Sequence, residues 1–89
     1  MSDADRLAEL RARVAENDGE IVAHVNERLR LVREIWALKA DRGTARLDPD
    51  RERDLLAQLA AANEGPLSSD GLRQLVTELL SLTKGELEH

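Results

Sequence analysis

The sequence predicts an all-α protein with three helices per chain, one long and two shorter. Leu and Ala are its commonest apolar residues, and Trp36 is its single aromatic residue. Such a composition favours helix, whereas strands are usually rich in aromatic and β-branched residues. A stretch of more than thirty residues without proline, followed by two segments with helix start signals, gives the count of three.

The first helix is predicted to run from about Asp5 to Asp41, with Gly19 as its only glycine. Its apolar side chains recur at spacings of three, four and seven residues, which is typical of one helical face. They are Leu7, Leu10, Val14, Ile21, Val25, Val32, Ile35 and Leu38. About 35 residues at 1.5 Å each make a helix of about 50 Å. That length is typical of a helix bundle or of coiled-coil-like pairing.

The second helix is predicted to follow a loop at residues 42–47. Asp48 is a good N-cap residue, and Pro49 suits the first helical position because it lacks an N–H group that would need a partner. The apolar residues that follow continue to Ala62. We expect this helix to end near residues 63–66, where the sequence Asn-Glu-Gly-Pro contains strong helix breakers.

The third helix is predicted to begin at a cap formed by residues 68–70 and to end near Lys84-Gly85. The closing residues Leu87-Glu88-His89 resemble the remnant of a histidine tag that follows a cloning scar. The expected organisation is therefore a single domain over residues 1–86, followed by a tag remnant at 87–89.

Charge and cysteine content exclude several classes of protein. The formal net charge is −5, which disfavours binding to nucleic acid or to an anionic membrane. There is no cysteine, so neither a disulfide framework nor a thiolate metal site is expected. No apolar run has the length of a membrane span, and no signal sequence is visible at the N-terminus. We expect a cytoplasmic protein.

The predicted helices differ in length, and this difference indicates self-association. A chain of 89 residues buries a small core. The long helix would extend well beyond its two short neighbours, leaving much of its apolar stripe exposed to water. Two chains that pack their long helices antiparallel would cover it, so we expect an intertwined homodimer.

Charged residues interrupt the predicted apolar face of the long helix. Arg11, Arg28 and Lys39 all occupy positions on the inward heptad stripe. Arg28 and Lys39 are eleven residues apart, or about 16 Å along one face, so their side chains could hold a small dianion between them. Arg11 precedes Arg28 by about 25 Å of helix, so it would reach this position from an antiparallel partner. The spacing therefore predicts two equivalent pockets, each built from both chains.

Two alternatives weigh against a functional reading of these charges. An arginine at a seam position often extends to solvent along the apolar surface or pairs with an acid, although three inward cations are costly to bury unpaired. On the second helix, Glu52 shares the apolar stripe of Leu55, Leu56 and Leu59. A plain surface ion pair between Asp48 and Arg51, at the same end, would be the simpler interpretation there.

Other chemistry has few candidates in the sequence. His24 and His89 have no neighbouring acid or cysteine in the sequence, so we expect no metal site. No glycine-rich phosphate loop is present, and no serine has a nearby histidine base. The remaining groups are cations, carboxylates and apolar side chains. They suit recognition of a small polyanion, or a reaction that needs electrostatics and shape without proton transfer.

These residues together resemble the all-helical (type II) chorismate mutase family. The resemblance covers nearly the whole chain and depends on the joint order and spacing of its elements. They are Leu10-Arg11, Val14, Asp18, Ile21, Asn26-Glu27-Arg28, Lys39, Asp48, Arg51-Glu52 and Gly65-Pro66-Leu67-Ser68. It implies an intertwined homodimer with two sites that rearranges chorismate to prephenate, toward phenylalanine and tyrosine. No cofactor and no covalent intermediate are implied.

The resemblance also implies roles for individual residues. Arg28 and Arg11 of the partner subunit would bind the two carboxylates of chorismate. Lys39 would reach a carboxylate and the ether oxygen.

Four further residues take roles at the ring and at the ether oxygen. Glu52 and the backbone near Asp48 would receive the ring hydroxyl, and Arg51 would support the carboxylate end. Lys84 stands where the family commonly has Gln or Glu beside the ether oxygen. It is either a second catalytic cation or a solvated lysine at the end of the helix.

Several alternatives stay open. Isochorismate pyruvate lyase and aminodeoxychorismate mutase share this fold and these cations, and a non-catalytic helical dimer is a third reading. Asp48 and Glu52 together favour chorismate as the substrate. Residues 82–87 resemble chorismate mutases that are activated by docking on DAHP synthase, which implies that enzyme as a partner.

Overall fold

The computed structural model describes the backbone of residues 2–41 and 49–88 and the side chains of 2–38 and 49–88. It contains α1 (Asp3–Asp41), α2 (Pro49–Ala62) and α3 (Ser69–Leu87). The described residues include no strand, so the predicted all-α class with three helices is confirmed. None of these helices combines the length and the apolar content that a membrane crossing requires.

The N-termini of α1 and α3 are capped by serine side chains. The Ser2 hydroxyl accepts a hydrogen bond from the Asp5 backbone N–H, so α1 begins two residues before the predicted start. Ser68, in extended backbone conformation, accepts one from the Gly71 N–H at 3.0 Å. The predicted cap of the third helix is confirmed. Asp48, the predicted cap of the second helix, lies outside the described residues, while Pro49 is the first residue of α2.

The end of α3 differs from the prediction. The helix continues through Gly85 to Leu87, and the Glu88 N–H donates to the Lys84 carbonyl oxygen. A glycine inside a helix lowers stability by only about 1 kcal/mol relative to alanine, so Gly85 need not end the helix. The helix therefore ends two residues beyond the predicted Lys84-Gly85.

The connection from α2 to α3 is organised by one side chain. Asn63 accepts a hydrogen bond from the Gly65 N–H and donates one to the Leu67 carbonyl oxygen, at 3.0 and 2.8 Å. Gly65 has a φ of +80°, a region that glycine enters without steric cost. The Gly65–Pro66 peptide bond is cis. This short turn brings α2 and α3 side by side as antiparallel neighbours.

The chain divides into two compact units, Met1–Leu31 and Val32–His89. In the first unit, the described side chains of α1 are exposed except for Val25, Arg28 and Leu29, which are half-buried. In the second, Leu72 and Val76 of α3 are the buried apolar residues among those described, at 6% and 4% exposure. This is a small core.

We predict that Ser68→Ala lowers the free energy of unfolding by about 1 kcal/mol, because the Gly71 N–H loses its capping partner. Urea unfolding followed by circular dichroism measures the change. Ser69→Ala is the matched control, since the adjacent serine begins α3 and does not cap it. Equal losses for the two variants would show that Ser68 contributes nothing as a cap.

Candidate active site

The predicted cations of α1 differ in burial. Arg11 is exposed, as are all described side chains around it. Arg28 is half-buried, on the same part of the helix as Val25 and Leu29. Lys39 lies within α1, and its side chain is outside the described part of the chain. One of the three predicted inward cations is thus seen in a partly shielded position within a single chain.

Glu52 lies on the packed face of α2, as predicted. Four residues of this helix are half-buried, and the rest are exposed. They are Glu52, Leu55, Leu56 and Leu59. Glu52 forms no ion pair or hydrogen bond with any described residue. A carboxylate kept on an apolar stripe, with no partner in the part of the chain that the structure describes, suits contact with a ligand.

The predicted surface ion pair between Asp48 and Arg51 stays a prediction. Arg51 is exposed, and Asp48 lies outside the described residues. Among the described residues, an ion pair at this end of α2 joins the Arg53 guanidinium to the Asp50 carboxylate, and both side chains are largely exposed. Such exposed pairs contribute little to stability.

Lys84 is half-buried and belongs to the last full turn of α3. Because the helix continues to Leu87, Lys84 does not end it. The residue before it, Thr83, is buried at 6% exposure and donates a hydrogen bond to the Leu79 carbonyl oxygen at 2.6 Å. Sequence reasoning missed Thr83, since a single threonine among leucines gives no signal of burial.

A cleft of about 290 Å³ lies between α2 and α3 and includes Glu52. Its apolar lining comes from Pro49, Leu56, Val76 and Leu80, and its other polar lining from Arg53, Arg73 and Thr77. Sequence reasoning missed Arg73 and Thr77. Two exposed polar residues four apart on a helix give no signal of a site, and their placement beside α2 is visible only in the folded chain.

Fold and site together define an all-α chain whose helices keep ionisable groups on partly shielded apolar faces. Residues 10–87 match the protein family described as "Chorismate mutase type II". The chain is 30% identical over 86 residues to a bifunctional chorismate mutase/prephenate dehydratase of Stutzerimonas stutzeri. That match covers 91% of the chain but only 24% of the relative, so the chain spans about a quarter of that protein.

Two solved structures of a chorismate mutase from Thermus thermophilus have the same fold. Form I is 37% identical with a TM-score of 0.85, covering 88% of this chain and 98% of that one. Form II is 36% identical with a TM-score of 0.89, covering 94% and 96%. The chain belongs to the type II chorismate mutase family, and its membership confirms the resemblance drawn from the sequence.

Proposed function

We propose that this chain is a chorismate mutase, an isomerase that converts chorismate to prephenate in the synthesis of phenylalanine and tyrosine. The observation that carries the proposal is the family match over residues 10–87, which includes Arg28 and Glu52 in half-buried positions. A pure scaffold would gain stability by replacing such residues with leucine. The reading as a non-catalytic dimer is therefore disfavoured.

The reaction forms no covalent bond between the substrate and the protein. As the ether C–O bond of chorismate breaks, a C–C bond forms between the enolpyruvyl side chain and the ring, so that no atom enters or leaves. Catalysis then consists of holding the flexible substrate in its compact chair-like conformation and stabilising negative charge on the ether oxygen. Fixed cations on rigid helices supply both.

The proposed site divides these tasks among three cations. Arg28, together with Arg11 of the partner subunit, binds the two carboxylates of chorismate. These contacts position the enolpyruvyl side chain of the substrate over the ring. Lys39 contacts a carboxylate and the ether oxygen, where negative charge develops. The half-burial of Arg28 supports its place in the set.

Residues of α2 and α3 complete the proposed site. Glu52 accepts a hydrogen bond from the ring hydroxyl, helped by the backbone near Asp48, and Arg51 supports the carboxylate end. We assign Lys84 to the site as a second cation near the ether oxygen, since its half-buried place within α3 suits this better than a solvated helix end.

A second copy of the chain completes the site in this proposal. The apolar side chains of α1 are between 39% and 60% exposed at eight positions. They are Leu7, Leu10, Val14, Ile21, Val22, Leu31, Ile35 and Leu38. This helix exposes much apolar surface, and the buried core among the described residues is small. Both observations support an intertwined antiparallel homodimer. We expect the melting temperature to rise with protein concentration.

We predict that the purified chain consumes chorismate and yields prephenate. Loss of chorismate absorbance gives the rate, and chromatography of the products gives the reaction. Pyruvate as the product would favour a lyase such as isochorismate pyruvate lyase, and an amino-substituted substrate would favour aminodeoxychorismate mutase. No turnover of any of these substrates would leave the non-catalytic dimer.

A DAHP synthase partner is a further part of the proposal. Its support is the resemblance of residues 82–87 to chorismate mutases that such a synthase activates. We expect kcat/KM for chorismate to rise when the synthase is added. An unchanged kcat/KM at saturating synthase would remove this partner.

The cytoplasmic location of the protein stays a prediction from the sequence.

A further inference from the structure

The cleft between α2 and α3 carries groups that the proposed reaction does not use. Arg73 and Thr77 line it on the α3 side, and neither belongs to the set of site residues that the family resemblance implies. Arg73 is exposed and forms no ion pair with any described residue. Its guanidinium group is therefore available to an anion from solvent.

The lining of the cleft has a definite polarity. Its apolar surface comes from Leu56, Val76 and Leu80, together with Pro49 at the start of α2. Because α2 and α3 are antiparallel neighbours, Glu52 lies toward the Leu80 end and Arg73 toward the opposite end. Arg73 and Leu80 are seven residues apart on one helix, which is about 10 Å along its axis. The Glu52 carboxylate and the Arg73 guanidinium group thus lie near opposite ends of an apolar surface and do not pair with each other.

The remaining polar groups of the cleft are already engaged. The Arg53 guanidinium pairs with Asp50 in its own helix. The Thr77 hydroxyl donates to the Arg73 carbonyl oxygen at 2.9 Å, which leaves its lone pairs able to accept a hydrogen bond. The free charges that a ligand meets are therefore the guanidinium of Arg73 and the carboxylate of Glu52.

We propose that this cleft binds a small hydroxylated aromatic carboxylate, with its carboxylate on Arg73, its ring on Leu56, Val76 and Leu80, and its hydroxyl donating to Glu52. A guanidinium group recognises a carboxylate through two parallel N–H donors. A carboxylate accepts hydrogen bonds only, so the ligand group that faces Glu52 must carry a donor. The volume of about 290 Å³ is near the lower limit for ligand pockets, which suits an occupant with a single ring.

Binding in this cleft has a consequence for the proposed reaction. Glu52 cannot accept the ligand hydroxyl and the ring hydroxyl of chorismate at the same time. The occupant therefore competes with chorismate, and this second half of the inference rests on the proposed function. The binding itself does not.

The test measures binding directly by nitrogen-15 NMR titration of the intact protein, with 4-hydroxybenzoate as the probe. Benzoate lacks the donor, and phenol lacks the carboxylate. We expect 4-hydroxybenzoate to shift the amide signals of α2 and α3 and to bind at least tenfold more tightly than either analogue. Arg73→Gln should weaken it at least tenfold, while Arg30→Gln, a control in an exposed ion pair with Glu27, leaves it unchanged.

Each result decides the inference. Equal binding of benzoate and 4-hydroxybenzoate, an unchanged affinity in Arg73→Gln, or no shift at millimolar probe would overturn the site. If the probe binds as expected, a rise in the apparent KM for chorismate without a change in kcat supports the competition. Binding without that rise contradicts the competition alone. A chain that binds the probe but never turns over chorismate contradicts the proposed function and leaves the site intact.

Discussion

Replacing Lys39 with alanine is expected to lower kcat by about 10²–10³-fold, the usual cost of removing one preorganised donor to a developing negative charge. In the proposed site, Lys39 contacts the ether oxygen as its bond to the ring breaks. The interaction is stronger in the transition state than in the ground state, so kcat falls more than KM rises. Steady-state kinetics on purified Lys39→Ala measures the effect.

The control for this prediction is Lys39→Arg, which keeps the positive charge and should recover part of the rate. Far-ultraviolet circular dichroism shows whether α1 remains helical in both variants. A folded Lys39→Ala protein with near-normal kcat would remove Lys39 from its role at the ether oxygen.

Replacing Arg28 with alanine is expected to reduce kcat/KM by at least a hundredfold, through loss of a charge-assisted contact to a substrate carboxylate. Arg28 is half-buried, whereas Arg11 is exposed. The loss should appear in KM as well as in kcat, because the carboxylate is charged throughout the reaction.

Arg30→Ala is the matched control for Arg28→Ala. Arg30 is exposed on the same helix and pairs with Glu27 at 3.3 Å. We expect this variant to keep its kcat/KM within about twofold, since exposed ion pairs contribute little. Similar losses in the two variants would mean that charge along α1 matters in general and that Arg28 has no specific place.

Local sequence signals were sufficient to predict most of the fold. Apolar residues at helical spacing predicted three helices, Pro49 predicted the first residue of α2, and Ser68 predicted the cap of α3. The end of α3 could not be predicted in the same way. A glycine near a helix end is a stop signal only where the chain turns there, and at Gly85 the helix continues.

The site was predictable only where a residue interrupts an apolar pattern. Glu52 was predicted because a carboxylate stands among three leucines at helical spacing, and it is half-buried as those leucines are. Arg73 and Thr77 are polar residues on a helix with much exposed surface, so their spacing resembles that of any solvated face. Their position in the same cleft as Glu52 depends on how α2 packs against α3, which is tertiary information.

Mixing two inactive variants tests whether each site takes cations from both chains. Arg11→Ala and Arg28→Ala homodimers should each be inactive, because every site lacks one cation. After mixing, unfolding and refolding at equal concentrations, half of the dimers are mixed, and one site in each has both cations. If each site is shared between the two subunits, about a quarter of the wild-type activity is recovered.

The control for the mixing experiment replaces Arg11→Ala with Arg13→Ala, which alters another exposed arginine of the same helix and should be active before mixing. Size-exclusion chromatography confirms that dimers form in every sample. Recovery to about a quarter of the wild-type rate supports a site shared between subunits. No recovery from a refolded, dimeric mixture of Arg11→Ala and Arg28→Ala would contradict it.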